Sequence, residues 1–271
     1  MKSIKTNKSR FGIRVKHWGV INLLFLLLGI FLLVLLSYGR SQDLRSRAAG
    51  SEIQFIDHTI AQVGGRDMSI TVERPLSAEP GDMLVALVGS DYAHVDPTPD
   101  GWTLIRQDVK NKGHKDDLAL QTYYKTVTPD EQPNYTWDFV TQRDDTPSEH
   151  QPLIAVDIYA FRGIDQNNPI FSKGSHAESE NPEAIKCPSV KGIAGGVLLC
   201  SYMGDDPGTI QAPSSMIQTS KFEIAGGDSY AAAYEMLTSN DKTGNRTAVW
   251  DNPERKNGSD FSQAIVLRPA E

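Results

Sequence analysis

The sequence predicts an all-β fold: a jelly-roll-like antiparallel β-sandwich made of two similar repeats, preceded by one N-terminal transmembrane α-helix. Three observations predict it. Short strand-like runs alternate with turn residues from residue 53 onward, one stretch of sequence recurs 114 residues later, and an uncharged apolar segment precedes both. Short strands at regular spacing, with turn residues between them, are typical of sandwiches and barrels.

The apolar segment covers residues 18–38, which include no ionisable side chain and nine leucines. At about 1.5 Å per residue, a helix of this length spans roughly 31 Å, close to the hydrocarbon thickness of a bilayer. Trp18 and Tyr38 bracket it, where aromatic rings favour the membrane interface. We therefore predict a transmembrane helix over 18–38, followed by a stalk over 39–52.

Charge on the two sides of this segment predicts its orientation. Residues 1–17 carry six basic residues and no acid, whereas three arginines and Asp43 follow the segment. The excess of basic residues places the leader in the cytoplasm and residues 53–271 outside the cell or in the periplasm. A cleaved signal peptide is the alternative. Its apolar core is normally about 7–15 residues long and ends at small residues, whereas this one is longer and ends at Ser37-Tyr38-Gly39.

The exported part is acidic, and this limits its partners. Residues 39–271 carry all 34 acidic residues but only 21 of the 27 basic ones, a net charge of −13. Such a surface repels nucleic acid and anionic lipid, so we expect no nucleic-acid partner. Membrane lipid around the helix and a glycan or surface-protein partner are the contacts we expect.

The strand-like runs follow one another through the exported part. Proline, glycine, aspartate and asparagine separate them, as in 79–81, 96–101 and 205–208. The predicted strands cover residues 68–73, 83–90, 102–109, 118–127, 134–140, 153–162, 185–190, 197–203, 216–223, 229–237, 246–250 and 261–268. No amphipathic helix of useful length appears after residue 50.

An internal repeat relates the two halves of this region. Residues 81–86 align with 195–200. The alignment continues without a gap as far as Trp102, which matches Met216. With small gaps, Trp137 then matches Trp250, and residues 154–156 match 264–266. We predict repeat halves over about 68–170 and 185–268. Two five-strand copies would supply the two Greek keys of a single jelly roll.

The two cysteines, Cys187 and Cys200, flank a turn at 191–196. A symmetric hairpin would set them opposite each other, and a non-hydrogen-bonded pair, with its Cα separation of about 4.5 Å, permits a disulfide. The alternative is that both are small apolar residues on buried faces. An oxidising compartment is compatible with the disulfide.

Catalytic motifs are absent from the sequence. It contains no H-E-x-x-H, no G-x-S-x-G and no phosphate-binding loop, and its six histidines show no pair at metal-ligand spacing. Acid pairs such as Asp205-Asp206 fall in predicted turns, whereas glycosidic chemistry needs two carboxylates facing each other in a cleft. We therefore assign no catalytic residue and no organic cofactor.

Asp91, Asp205 and Asp206 are the candidate metal ligands. Asp91 and Asp205 follow a strand at equivalent positions of the repeat, in loops rich in oxygen atoms. Calcium binds several carboxylate and carbonyl oxygens on such loops. The alternative is an Asx-turn, in which the aspartate binds its own backbone.

Tyr92, His94 and Tyr202 are the candidate ligand-binding residues, because sugar binding needs exposed rings on loops or on a concave face. Trp137 and Trp250 occupy equivalent positions within strands, so we predict that both lie in the core. Trp102 corresponds to Met216 and is predicted to be buried as well.

Five short sequence motifs resemble those of a known type of domain. The motifs are residues 81–86, 101–105, 123–125, 135–137 and 160–165. Together they resemble a two-repeat, jelly-roll-like β-sandwich domain of bacterial extracellular and phage structural proteins, over about residues 53–268. The resemblance implies surface display, with adhesion or glycan contact. It implies no catalytic residue, since its motifs are structural.

The sequence thus predicts a membrane-anchored, surface-displayed β-sandwich with a non-enzymatic structural, adhesive or ligand-binding role. One alternative is a subunit of a pilus-like or secretion-type surface assembly, although the apolar segment lacks the glutamate that pilin-like helices carry. Another is a jelly-roll hydrolase acting on glycans, which would need two carboxylates about 5–10 Å apart in a groove.

Overall fold

The structure, a computed structural model, describes residues 52–64, 68–91, 93–110, 118–141, 153–178, 184–204, 206–223, 228–251 and 260–271. These residues belong to one compact unit, Gly50–Glu271. The predicted leader, the transmembrane segment and nearly all of the stalk lie outside them. Within the described residues, no helix is long and apolar enough to cross a bilayer.

The described residues form an all-β structure with sixteen strands, and the described parts of the connections between them contain no helix. The strands are β1 (Gln54–Gly64), β2 (Ser69–Glu73), β3 (Met83–Asp91), β4 (Ala93–Val95), β5 (Thr103–Lys110), β6 (Leu118–Thr126), β7 (Asn134–Thr141), β8 (Leu153–Arg162), β9 (Ile170–Glu178), β10 (Ala184–Cys187), β11 (Val197–Gly204), β12 (Thr209–Gln211), β13 (Ile217–Glu223), β14 (Ser229–Met236), β15 (Arg246–Asp251) and β16 (Asp260–Leu267).

These strands make four antiparallel sheets. The first central sheet has the order β1-β8-β3-β6-β5, and the first outer sheet has the order β2-β7-β4. The second central sheet has the order β9-β16-β11-β14-β13, and the second outer sheet has the order β10-β15-β12. Adding eight to each strand number of the first pair of sheets gives the second pair, so the two halves share one topology.

The turns that begin the two central strands match in detail. Gly81 and Gly195 precede β3 and β11 at positive φ, 94° and 77°, a conformation that favours glycine. Gly81 N–H donates to the Val127 carbonyl over 2.9 Å, and Gly195 N–H donates to the Leu237 carbonyl over 2.8 Å. The offset of 114 residues that the sequence showed therefore holds for this turn.

Buried side chains on both faces of the central sheets create three cores. Every side chain of β3 and of β11 is buried. On β3, Met83 and Val85 enter a core that also contains Val197 and Leu199 of β11, so the two central sheets pack against each other. On the opposite face of β3, Leu84 packs against residues of the first outer sheet. The second half repeats this arrangement, which gives four layers: outer, central, central, outer.

The tryptophans lie where the sequence placed them. Trp137 and Trp250 are 0% and 2% exposed, in the outer cores of the first and second halves. Trp102 and Met216 are buried in the same two cores. The prediction that Trp102, Trp137 and Trp250 belong to the core is confirmed, and Met216 is buried at the position that matches Trp102.

The architecture differs from the prediction in scale. We expected two five-strand copies that close into one sandwich, whereas each matching set has eight strands and two sheets of its own. The matching sets run from β1 to β8 and from β9 to β16, so they include strands outside the expected halves 68–170 and 185–268.

The register of the central sheets also corrects one alignment between the two halves. Met83 faces Phe161 and Val197 faces Leu267, so residues 158–160 rather than 154–156 correspond to 264–266.

Complementary shapes and hydrogen bonds join the two central sheets. The Tyr230 ring of β14 lies over Gly89 of β3, where an added Cβ would come within 2.7 Å of the ring. Thr122 of β6 donates a hydrogen bond to the Gln263 side chain of β16 over 2.7 Å, and both residues are buried. The sheets therefore meet in one defined arrangement.

Replacing Gly89 with alanine should destabilise the protein by about 1–3 kcal/mol, because the new methyl group overlaps the Tyr230 ring. Denaturant unfolding should show a lower midpoint with an unchanged slope. The control is the same substitution in a Tyr230→Leu background, where the ring is gone and the added cost should largely disappear. Equal costs in both backgrounds would contradict this packing.

Candidate functional site

The two cysteines form a disulfide, with an S–S distance of 2.01 Å and a Cα–Cα distance of 6.0 Å. Cys187 ends β10 in the second outer sheet, whereas Cys200 lies within β11 in the second central sheet. The expected hairpin is therefore absent: β10 pairs with β15, and β11 pairs with β14 and β16. The bond instead crosses the second outer core and ties two layers together.

The candidate ligand-binding residues do not form one site. Tyr202 is fully buried in the second outer core, and its hydroxyl donates to the Arg246 carbonyl over 3.2 Å. This placement corrects the expectation of an exposed ring, because Tyr202 points inward from a strand covered on both faces. His94 lies half-buried on β4, and Tyr92 is outside the described residues.

The candidate metal ligands Asp91 and Asp206 meet around a third acid, Asp228, and we call these three residues the acid cluster. Asp91 ends β3, Asp206 follows β11 and Asp228 precedes β14. Asp91 and Asp228 are 5% and 6% exposed and share a hydrogen bond. Asp205 lies outside the described residues. Asp228 could not be predicted from the sequence, because only the packing of the two halves brings it beside Asp91.

Burial determines the chemistry of the acid cluster. It raises the pKa of Asp228 to about 7, an effect that the hydrogen bond with Asp91 reduces and the charge of Asp206 reinforces. The neutral form of Asp228 is favoured because it avoids a second buried negative charge beside Asp91. Among the described residues, no three His, Cys, Asp or Glu side chains are grouped to hold a metal ion. The described residues therefore do not by themselves show the predicted calcium site, and Asp205 lies outside them.

A second buried acid, Asp157 of β8, lies between the central sheets. The Tyr159 hydroxyl donates to its Oδ2 over 2.8 Å, and Ser220 of the other half lies close to it. Burial raises the pKa of Asp157 to about 6, although the interactions with Ser220 and Tyr159 and the charge of His58 lower it. Raised carboxyl pKa values often mark catalytic acids. Asp157 has no exposed surface, however, so a substrate cannot reach it.

A groove of about 370 Å³ opens on the first half, between the loop 96–101 and the outward face of β7. Outward-pointing side chains of β7 line one side, and the loop lines the other. Trp102 and Tyr135 lie beneath them, with ring centroids 5.2 Å apart in an edge-to-face arrangement. We call this feature the groove. Its lining residues are Pro97, Thr98, Pro99, Asp100, Trp102, Lys125, Gln132, Asn134, Tyr135, Thr136 and Asp138.

This groove was not predicted from the sequence. A usable signal was present in β7, where Asn134, Thr136 and Asp138 alternate with the buried residues Tyr135 and Trp137. This alternation marks a strand with one solvent-facing polar side. The loop 96–101 that completes the groove could not be placed against β7 without the sheet topology.

Replacing Asp228 with asparagine should change how stability depends on pH. The folded-state pKa of about 7 lies above the ordinary value of about 4, so the folded protein binds more protons between these values. The contribution of Asp228 to stability is therefore present below about pH 4 and is lost as the pH rises towards 7. Asp228→Asn removes the buried charge, and at pH 8 it should be more stable than the unmodified chain by about 1–4 kcal/mol.

Denaturant unfolding at pH 5 and pH 8 measures this effect, and the gain should shrink at pH 5. Asp251→Asn is the matched control, since Asp251 is exposed at the end of β15. The pKa of Asp157 is also raised, and it contributes to the pH dependence of every variant. The effect of Asp228 is therefore the difference in unfolding free energy between the variants. A gain at pH 5 as large as the gain at pH 8 would contradict this account of Asp228.

Comparison with known proteins identifies no family for this chain. No protein-family model matches it, and neither a curated protein nor a solved structure does. The all-β fold with antiparallel sheets is consistent with the β-sandwich that the motifs suggested. The function must therefore be inferred from the chain itself.

Proposed function

We propose that the chain is a single-pass membrane protein that displays a jelly-roll-like β-sandwich outside the cytoplasm, in a non-enzymatic structural, adhesive or ligand-binding role. The observation that carries this proposal is the buried disulfide between Cys187 and Cys200. It supports the compartment that the apolar segment 18–38 predicts. These two features come from different parts of the chain and are independent of each other.

The disulfide supports export because structural disulfides persist in oxidising compartments and are rare in the cytosol. Both cysteines of the chain are used, and both are fully buried. A bond between an outer and a central sheet stabilises the fold rather than a reactive loop. This is the use of cysteine expected of a secreted or surface-displayed domain.

The topology supports a jelly-roll-like assignment for each half. In a jelly roll, eight strands form two Greek keys in two facing sheets. The order β1-β8-β3-β6 facing β2-β7-β4 has this character, with β5 added at the edge beside β6. We propose that the second half arose by duplication of the first, and that the two sandwiches pack through their central sheets.

A non-enzymatic role fits the placement of the buried acids. Asp157 is sealed between the central sheets, and Asp228 is 6% exposed. The faces of both central sheets are covered by apolar side chains on each side. A jelly-roll hydrolase needs an open sheet face with two accessible carboxylates, so we do not favour this alternative. A pilus-like or secretion-type subunit stays a second prediction, motivated by the apolar segment alone.

Calcium binding by Asp91, Asp205 and Asp206 also stays a proposal. Two of these residues belong to the acid cluster, where a cation would replace the proton and stabilise the charged carboxylates. Repeating the unfolding experiment at pH 8 with calcium chloride distinguishes an acid cluster that binds calcium from one that does not. Bound calcium would raise the stability of the unmodified chain by mass action and would have less effect on Asp228→Asn.

The topology of the full chain tests the proposed function directly. A protease that cannot cross the cytoplasmic membrane is added to cells whose outer layers have been permeabilised. It should degrade residues beyond 50 and leave the leader intact. Trapping of free thiols in the same cells should leave Cys187 and Cys200 unlabelled until a reductant is added. A lysine-to-glutamate exchange throughout the leader is the control, since it should impair the orientation.

Protection of residues beyond 50 in these cells, together with thiols that react without reductant, would overturn the proposal. A chain that is fully exported but found in filaments would favour the pilus-like alternative instead.

A further inference from the structure

We propose that the groove binds a neutral oligosaccharide. This inference deepens the proposed binding role, because it assigns that role to a site and to a class of ligand. It uses residues of the first half that were not predicted from the sequence to bind a ligand.

The groove has the size and the position of a ligand site. Its volume of about 370 Å³ falls within the range of about 300–1,000 Å³ that small-molecule sites occupy. It lies beside β7, the middle strand of the first outer sheet, and among the described residues the outward side chains Asn134, Thr136 and Asp138 of this strand are exposed. The central sheets are buried on both faces, so the outer sheets provide the sheet faces that a ligand can reach.

The lining supplies donors and acceptors suited to hydroxyl groups. The amides of Asn134 and Gln132 can each donate and accept, and the carboxylates of Asp100 and Asp138 accept from hydroxyl groups. Two of the β7 side chains are held in place by β2. Ser69 donates to Asp138 Oδ1 over 2.7 Å, and Thr71 and Thr136 share a hydrogen bond of 3.1 Å. Side chains fixed in this way lose less entropy when a ligand binds.

The charge of the groove disfavours an anionic ligand. Its cation, Lys125, is paired with Glu131 over 2.7 Å, and the Glu131 side chain is 1% exposed. Burial alone would raise the pKa of Glu131, but hydrogen bonds from Lys125 and Thr128 and the charge of Lys125 lower it. The ion pair is therefore retained near neutral pH. Asp100 and Asp138 leave the lining negative, so phosphate, sulfate and uronate groups would be repelled.

The base of the groove favours a ligand with an apolar face. Trp102 and Tyr135 form it, and Pro97 and Pro99 border it. Sugar rings combine apolar C–H faces with hydroxyl groups at their edges, which matches an apolar base surrounded by polar side chains.

The second half offers a natural control, because its outer sheet lacks this lining. Taking Trp137 and Trp250 as equivalent, Thr247, Val249 and Asp251 of β15 correspond to Asn134, Thr136 and Asp138 of β7. Val249 is 60% exposed, so an apolar side chain stands where the groove has a hydroxyl group. The binding property should therefore belong to the first half alone.

The test uses the full chain, purified in a detergent without a sugar headgroup. Cellohexaose, maltohexaose and chitohexaose are the neutral probes, and a heparin hexasaccharide and hexalysine are the charged ones. Isothermal titration at probe concentrations up to about 5 mM detects dissociation constants in the millimolar range. We expect at least one neutral probe to bind, and the heparin probe not to bind.

Asn134→Ala and Asp100→Asn should each weaken that binding by about tenfold, because each removes a hydrogen bond to the ligand. Both residues are exposed, so the variants should fold, and an unchanged unfolding midpoint verifies this. Thr247→Ala is the matched control and should bind like the unmodified chain. The inference is overturned if no neutral probe binds, if hexalysine or heparin binds more tightly, or if the two groove variants bind normally. None of these results would change the membrane topology of the chain, which tests the proposed function separately.

Discussion

The burial of two five-stranded sheets against each other is the constraint on which this structure depends. Because each central sheet also carries an outer sheet, β3 and β11 have no solvent-facing side. Their sequences are accordingly mostly apolar rather than alternating, and a protruding ring on one sheet needs a gap on the other. Tyr230 over Gly89 is such a pair. The disulfide then fixes an outer layer to a central layer, at a distance from the contact between the halves.

The same burial explains the unusual acids. A carboxylate that enters a covered core loses hydration, so its neutral form is favoured unless a cation lies close by. Asp157 and Asp228 both have raised pKa values, and both lie where the two halves meet. Glu131 is nearly as buried, but its pKa is lowered because Lys125 pairs with it. Raised carboxyl pKa values in this protein therefore reflect how the halves are joined, whereas the solvent-facing groove keeps a charged ion pair.

Sequence patterns predicted the parts of the fold that local chemistry determines. The β3 and β11 runs, their glycine turns and the buried tryptophans follow from periodicity and from the repeat. Strands β4 and β12 were missed because three residues are too few to show a period, and β1 and β9 were missed because polar residues interrupt their apolar ones. The repeat was underestimated because β1 and β9, the first strands of its two copies, were not recognised. The acid cluster and the groove could not be predicted, since each joins residues that only tertiary packing brings together. Tyr202 was misplaced because a ring on a strand covered on both faces points inward.

Native-state hydrogen exchange on an Ile158→Val variant tests most directly whether the two central sheets form one cooperative unit. Ile158 is fully buried in the outer core of the first half, and its truncation should cost about 0.5–1.5 kcal/mol. If the halves unfold together, the slowest amides of β11 should lose as much protection as those of β3. Unchanged protection in β11, with loss confined to the first half, would contradict the account.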